Sequence, residues 1–182
     1  MTTLDTLIER NQDFAARHFP RALPMMPTLR TMIIGCVDPR VDPAHLLGLQ
    51  PGEAVVIRNV GGRITPATLQ TMGMLGRVGQ EEGVPSAGEF HLVVLQHTQC
   101  GIAHLQGQPA LLASYFGIDQ EALAAKAVTD PYAAVAVDVA ALKANPALPG
   151  NRLVSGLVYD VTTGLVEVVA PPTSLRHPES QA

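Results

Sequence analysis

The chain alternates short apolar runs with longer segments of helical periodicity, and this alternation restricts its possible folds more than any other feature. Residues 31–36 (TMIIGC), 54–58 (AVVIR) and 90–96 (FHLVVLQ) are apolar runs suited to strands buried on both faces. Helical segments are predicted between them. One covers 42–47 and opens on Asp42–Pro43; the other runs from Thr65 to about Gln80 and opens on Thr–Pro. Strands separated by helical crossovers pair in parallel. A short helix is expected at 101–105, a looser stretch at 106–117, and helical segments at 119–127 and 131–145. Residues 152–160 and 164–170 are β-branched runs joined by Thr162–Thr163–Gly164, the pattern of a hairpin.

At the front, Leu4, Leu7, Ile8, Phe14 and Ala15 fall at helical spacing over residues 3–19, with Thr2 or Thr3 as N-cap, before a proline-bearing stretch at 20–27. The reading is an α/β fold: one domain (1–182) with a mostly parallel central β-sheet flanked by helices. It carries an N-terminal helical arm (1–27) and a C-terminal β-hairpin, and an ill-ordered tail is expected from Pro171. At 182 residues such a chain buries a sizeable core without staples.

Composition narrows the function classes. A net charge of −4 argues against nucleic acid or an anionic membrane as partner. No apolar run approaches the ~20 residues of a membrane span, and the acidic N-terminus does not read as a secretory signal. A cytoplasmic protein is expected. Only 15% of residues are charged, against about 25% in typical soluble domains, which points to apolar surface covered by another subunit. Two cysteines, Cys36 and Cys100, rule out a disulfide framework.

Open parallel sheets place their sites beyond the carboxyl ends of the strands. Two segments stand there: Cys36-Val-Asp38-Pro-Arg40 after the first strand and His97-Thr-Gln-Cys100 after the third. Two thiolates and an imidazole are a borderline-soft set suited to Zn²⁺, and three protein ligands are the count of a catalytic site with one open position. Two other readings stand beside this one: cysteines that fill core space, and a Cys–His nucleophile pair. Asp38, held ionised by Arg40, is suited either to accept a hydrogen bond from a metal-bound water or to take the fourth metal position itself.

The string CVDPR resembles the CxDxR motif of β-class carbonic anhydrases, and HTQCG resembles their HxxCG motif. Between them, PGE at 51–53 and VIRNVG at 56–61 resemble the family's PGE/PGD turn and RNAG-like segment. LVYDVTTG at 157–164 resembles its following hairpin. The compact length is most similar to a bacterial branch that also includes carbonyl sulfide hydrolase-like members.

The resemblance implies one zinc per chain on Cys36, His97 and Cys100, with Asp38 and Arg40 as the catalytic dyad. It further implies reversible hydration of CO₂ to bicarbonate by zinc-generated hydroxide. Val60 and Gly61 would border the substrate, with the Gly101 N–H as a donor to bicarbonate. A homodimer or dimer of dimers is implied, with the arm laid across a partner. Alternatives are hydrolysis of carbonyl sulfide or carbon disulfide at the same site, and a non-catalytic zinc module closed by Asp38. His45, His91 and His104 are candidates by type to export the proton. Gln96, Gln99 and Val60-Gly61-Gly62 depart from the family's usual residues. Gly73, Gly76 and Gly79 do not form a nucleotide-binding GxGxxG.

Overall fold

A computed structural model describes residues 2–83 and 89–176. Five strands form one sheet in the order β2-β1-β3-β4-β5: β1 (Thr31–Cys36), β2 (Ala54–Asn59), β3 (His91–His97), β4 (Leu153–Tyr159) and β5 (Val166–Ser174). The first four are parallel, and β5 returns antiparallel to β4 as the expected hairpin. The strand β5 extends to Ser174, past the Pro171 boundary expected for the tail. Leu175 beyond it is buried in the core, so the chain is held to this point. Of the expected tail, residues 177–182 lie outside those described.

One face of the sheet carries Met32, Ile34, Leu92, Val94, Val154 and Val158. Helix α3 (Pro66–Glu81) supplies Met72 to this layer, and α5 (Pro131–Ala144) supplies Val135, Val139 and Leu142. These are the spacings of one helical face. The opposite face is covered more thinly. Pro43 of the short α2 (Pro43–Leu46) sits over Gly35, and Leu49 packs near Ile33, Val93 and Leu95. On β5, Val166 and Val168 pair with Tyr159 and Leu157 and remain exposed.

The stretch expected to be loose contains α4 (Pro109–Phe116). Its proline occupies the first turn, where no N–H is needed, and Gly117 closes it in the left-handed conformation. Leu112, Ala113 and Phe116 then bury one face. The segments predicted at 101–105 and 119–127 are 3₁₀ turns, Gly101–Leu105 and Gln120–Lys126. The arm forms α1 (Thr3–Arg17), capped reciprocally by Thr2 and Asp5, and none of its residues is buried. No helix among the described residues is long and apolar enough to cross a membrane.

Candidate metal centre

Cys36 ends β1 and His97 ends β3, neighbouring strands of the parallel sheet, so both emerge at its carboxyl edge. The chain then turns through Gln99, whose φ of 53° folds it back and brings Cys100 to the same point. The ligand atoms of Cys36, His97 and Cys100 all lie within 4.8 Å of one another, and the two sulfurs are 3.7 Å apart.

Second contacts fix the set. Nδ1 of His97 lies 2.8 Å from the Thr98 carbonyl, which can only accept, so Nδ1 carries the proton and Nε2 presents its lone pair. Buried Nε2 has no hydrogen-bond partner among the described residues. The backbone N–H groups of Asp38 and Gly61 donate to Cys36 Sγ at 3.4 and 3.3 Å. With the Cys100 thiol as largest contributor, they lower the Cys36 pKa to about 4. The Cys100 pKa is pushed up, because its loss of a proton would set two thiolates side by side. A cation between the sulfurs would let both ionise, and an orphaned imidazole nitrogen faces the same point. The donor set therefore fits a borderline-soft metal such as zinc.

Asp38 stands outside the group. Arg40 grips its carboxylate through Nε to Oδ1 (3.0 Å) and Nη2 to Oδ2 (2.7 Å), and the Arg40 backbone N–H adds a third bond to Oδ1 (2.9 Å). This grip holds the Asp38 pKa near 2, so the group is ionised throughout the neutral range. The same Nη2 donates to the Gln99 carbonyl at 3.1 Å and so joins the two site loops. Arg58 secures the Cys36 loop from behind, donating to the carbonyls of Cys36 and Asp38 at 2.8 Å each.

The Gly61–Gly62 pair lets the chain pass beside Cys36. Gly62 has a φ of 63°, and a Cβ there would come within 2.9 Å of the Leu95 carbonyl and 3.0 Å of the Cys36 nitrogen. Asn59 clasps this loop at both ends of Arg63, with two 2.7 Å bonds.

A cavity of about 70 Å³ adjoins the centre, with Gly61, Gln96, His97 and Cys100 in its wall. Val60 and Gly101 are not in that wall. The Val60 carbonyl instead accepts from the Tyr115 hydroxyl at 2.8 Å, and Gly101 opens the 3₁₀ turn. His91 lies at the opposite end of β3 from His97, roughly 20 Å away at ~3.3 Å per residue, so it cannot serve the site. His45 sits in α2, and exposed His104 sits in the turn after Cys100.

Sequence reasoning missed the groups around Asp138. This buried carboxylate, on α5, accepts from Arg63 Nε at 2.7 Å, Gln96 Nε2 at 2.9 Å and the Ile64 N–H at 3.3 Å. The available signal was a lone acid within an apolar helical run, which needs a buried partner. It also gives Gln96 a role: its side chain reaches Asp138 from the strand that ends in His97.

The sequence profile of the family described as carbonic anhydrase matches residues 31–113. β-Carbonic anhydrase 1 of Mycobacterium tuberculosis is 28% identical over 173 residues, covering 94% of this chain and all of that protein. The crystal structure of carbonic anhydrase from Streptococcus mutans superposes with a TM-score of 0.69 and 32% identity, covering 93% of this chain and 98% of that one. The chain belongs to the β-carbonic anhydrase family. β-Carbonic anhydrases use zinc, in keeping with the donor set described above. A carbon disulfide hydrolase of Saccharolobus solfataricus is also similar, 27% identical over 152 residues, covering 84% of this chain and 60% of that protein.

Proposed function

We propose that this chain catalyses the zinc-dependent, reversible hydration of carbon dioxide to bicarbonate and a proton, with Cys36, His97 and Cys100 holding the metal. The observation that carries this reading is the Cys–His–Cys group beside an aspartate that is locked ionised by arginine. Zinc held by these three residues would supply Lewis acidity, and with it hydroxide reactivity near neutral pH.

The protein's own groups do the rest. Arg40 fills both lone-pair positions of Asp38 Oδ1 and one of Oδ2, leaving the second position of Oδ2 to accept a hydrogen bond and orient a water. His97 keeps its tautomer through Thr98. The Gly61 N–H stabilises the Cys36 thiolate. The Asp38–Arg40 pairing also argues against the closed, non-catalytic zinc module, in which Asp38 would be a ligand. Val60, Gly61 and the Gly101 N–H remain our candidates for the substrate side.

Stopped-flow CO₂ hydration, with metal content measured on the same sample, tests the proposal. Activity in proportion to zinc is expected, and a zinc-replete protein without hydration activity overturns it. The similarity to a carbon disulfide hydrolase favours hydrolysis of carbon disulfide or carbonyl sulfide as the second reading. Release of H₂S exceeding CO₂ turnover would select it.

We infer the assembly from exposed apolar faces and the location from the thiols. The apolar side of α1 is open, with Leu4, Leu7 and Ile8 exposed by 64, 55 and 48%, and α3 exposes Met74 by 65%. We read these as the faces of a homodimer or dimer of dimers, with the arm laid across a partner. Two free thiols 3.7 Å apart would be liable to oxidation outside a reducing compartment, which supports a cytoplasmic location.

A further inference from the structure

Arg63 is the largest fully buried side chain among the described residues, with 1% of it exposed. Its guanidinium is held on three sides. Nε donates to Asp138, Nη2 donates to the Lys126 carbonyl at 2.7 Å, and the plane lies over the Phe116 ring at 4.9 Å. The remaining nitrogen, Nη1, is buried and has no hydrogen-bond partner among the described residues. A buried charged donor is left unmatched only at a cost, so a ligand is the natural partner to seek for it.

The same residue forms part of the wall of the cavity of about 70 Å³ beside the metal centre, together with Gln96, Gln99 and Thr129. That volume equals roughly two waters at ~30 Å³ each, enough for a planar anion of four heavy atoms. On the Arg63 side, away from the cysteine sulfurs, the Lys126 ammonium sits 5.4 Å from the centre of the same Phe116 ring, so two cationic side chains accompany the Asp138 carboxyl there.

We propose that the Arg63 side of this cavity is a subsite for a small, planar, singly charged oxyanion, with Nη1 as its charged donor. Arg63 thereby acts in binding, and Asp138 and Gln96 act as positioning residues that fix the guanidinium plane. The natural ligand is bicarbonate, the product class of the reaction; that assignment rests on the function proposed above, whereas the subsite itself does not.

Nitrate is the probe, because it shares the shape and charge of bicarbonate and is not turned over. Its affinity for the zinc-loaded protein is measured by calorimetric titration, alongside zinc content and CO₂ hydration on the same preparation. In Arg63→Gln the dissociation constant is expected to rise about tenfold or more, with zinc content retained. An unchanged constant overturns the subsite. Loss of Arg63 leaves Asp138 buried and unpaired, so Arg63→Gln/Asp138→Asn, which removes both charges, is measured in parallel with the same expectation. Crystals of the wild-type zinc protein grown with nitrate give a reading independent of any variant. Nitrate within hydrogen-bond distance of Arg63 Nη1 is expected, and a cavity holding only water overturns the proposal. Zinc-replete protein that binds nitrate at Arg63 but does not hydrate CO₂ would leave the subsite standing and remove bicarbonate as its ligand.

Discussion

Arg40 holds Asp38 in a two-point grip, Nε to Oδ1 at 3.0 Å and Nη2 to Oδ2 at 2.7 Å, while Nη2 also reaches the Gln99 carbonyl. Lysine in its place would keep a positive charge but lose the planar fork. Arg40→Lys is therefore expected to retain zinc and to lower CO₂ hydration by about ten- to a hundredfold, as loss of an outer-shell partner typically does. Stopped-flow rates normalised to metal content check this. Undiminished activity would mean that Asp38 needs no orienting partner.

The loop that passes Cys36 has no room for a side chain. An alanine Cβ at Gly62 would sit 2.9 Å from a backbone carbonyl and 3.0 Å from a backbone nitrogen, on a residue with φ of 63°. Neither neighbour is the end of a flexible chain, so the backbone beside the metal ligand must shift. Gly62→Ala is expected to cost about 2 kcal/mol or more and to weaken zinc retention. Gly101→Ala is the control, because a Cβ there meets nothing within 4 Å and the N–H is kept. Denaturant melts and zinc content on both variants make the comparison.

The metal-ligand candidates were legible because their residue types are chemically distinctive and the strands that carry them are short apolar runs. Cys36, His97 and Cys100 meet simply because β1 and β3 are neighbours in a parallel sheet. Less legible was α4, whose Gly107, Pro109 and Gly117 look like loop punctuation. Two of those residues are its start and stop signals. The Arg63–Asp138 pair was hidden for a different reason. Its members lie 75 residues apart, and although a lone acid in an apolar helical run asks for a buried partner, nothing in the sequence names Arg63 as that partner. Only the packing of α5 on the sheet reveals that both are buried.

That pair sets up a stability test. Burial raises the Asp138 pKa despite the adjacent guanidinium, a penalty on the charged carboxylate that Arg63 and the Ile64 N–H oppose. Asp138→Ala strands the guanidinium and is expected to destabilise by about 3–5 kcal/mol in urea unfolding. Arg63→Met/Asp138→Leu removes both charges and should recover much of that loss. A double variant no more stable than the single one would show that the remaining partners, not the ion pair, carry the effect.

The exposed face of α1 predicts assembly. Leu4, Leu7 and Ile8 lie on a capped helix that buries no residue in its own chain. Leu4→Asp/Ile8→Asp is expected to shift the zinc-loaded protein toward monomer in sedimentation velocity. A wild-type protein already monomeric at micromolar concentration would contradict the dimer reading.

Alkaline pH should act through Tyr115. Burial raises its pKa to about 12, and the protonated hydroxyl donates to the Val60 carbonyl at 2.8 Å. In the unfolded chain the phenol ionises near 10. Between these values the folded state binds more protons than the unfolded state, so the stability from this group is complete below about pH 10 and falls as pH rises toward 12. Tyr115→Phe cannot ionise and should flatten that part of the stability curve, while losing the bond to Val60 at every pH. Urea unfolding of both proteins from pH 8 to 11.5 reads the difference in slope, and parallel slopes would place the Tyr115 hydroxyl in solvent.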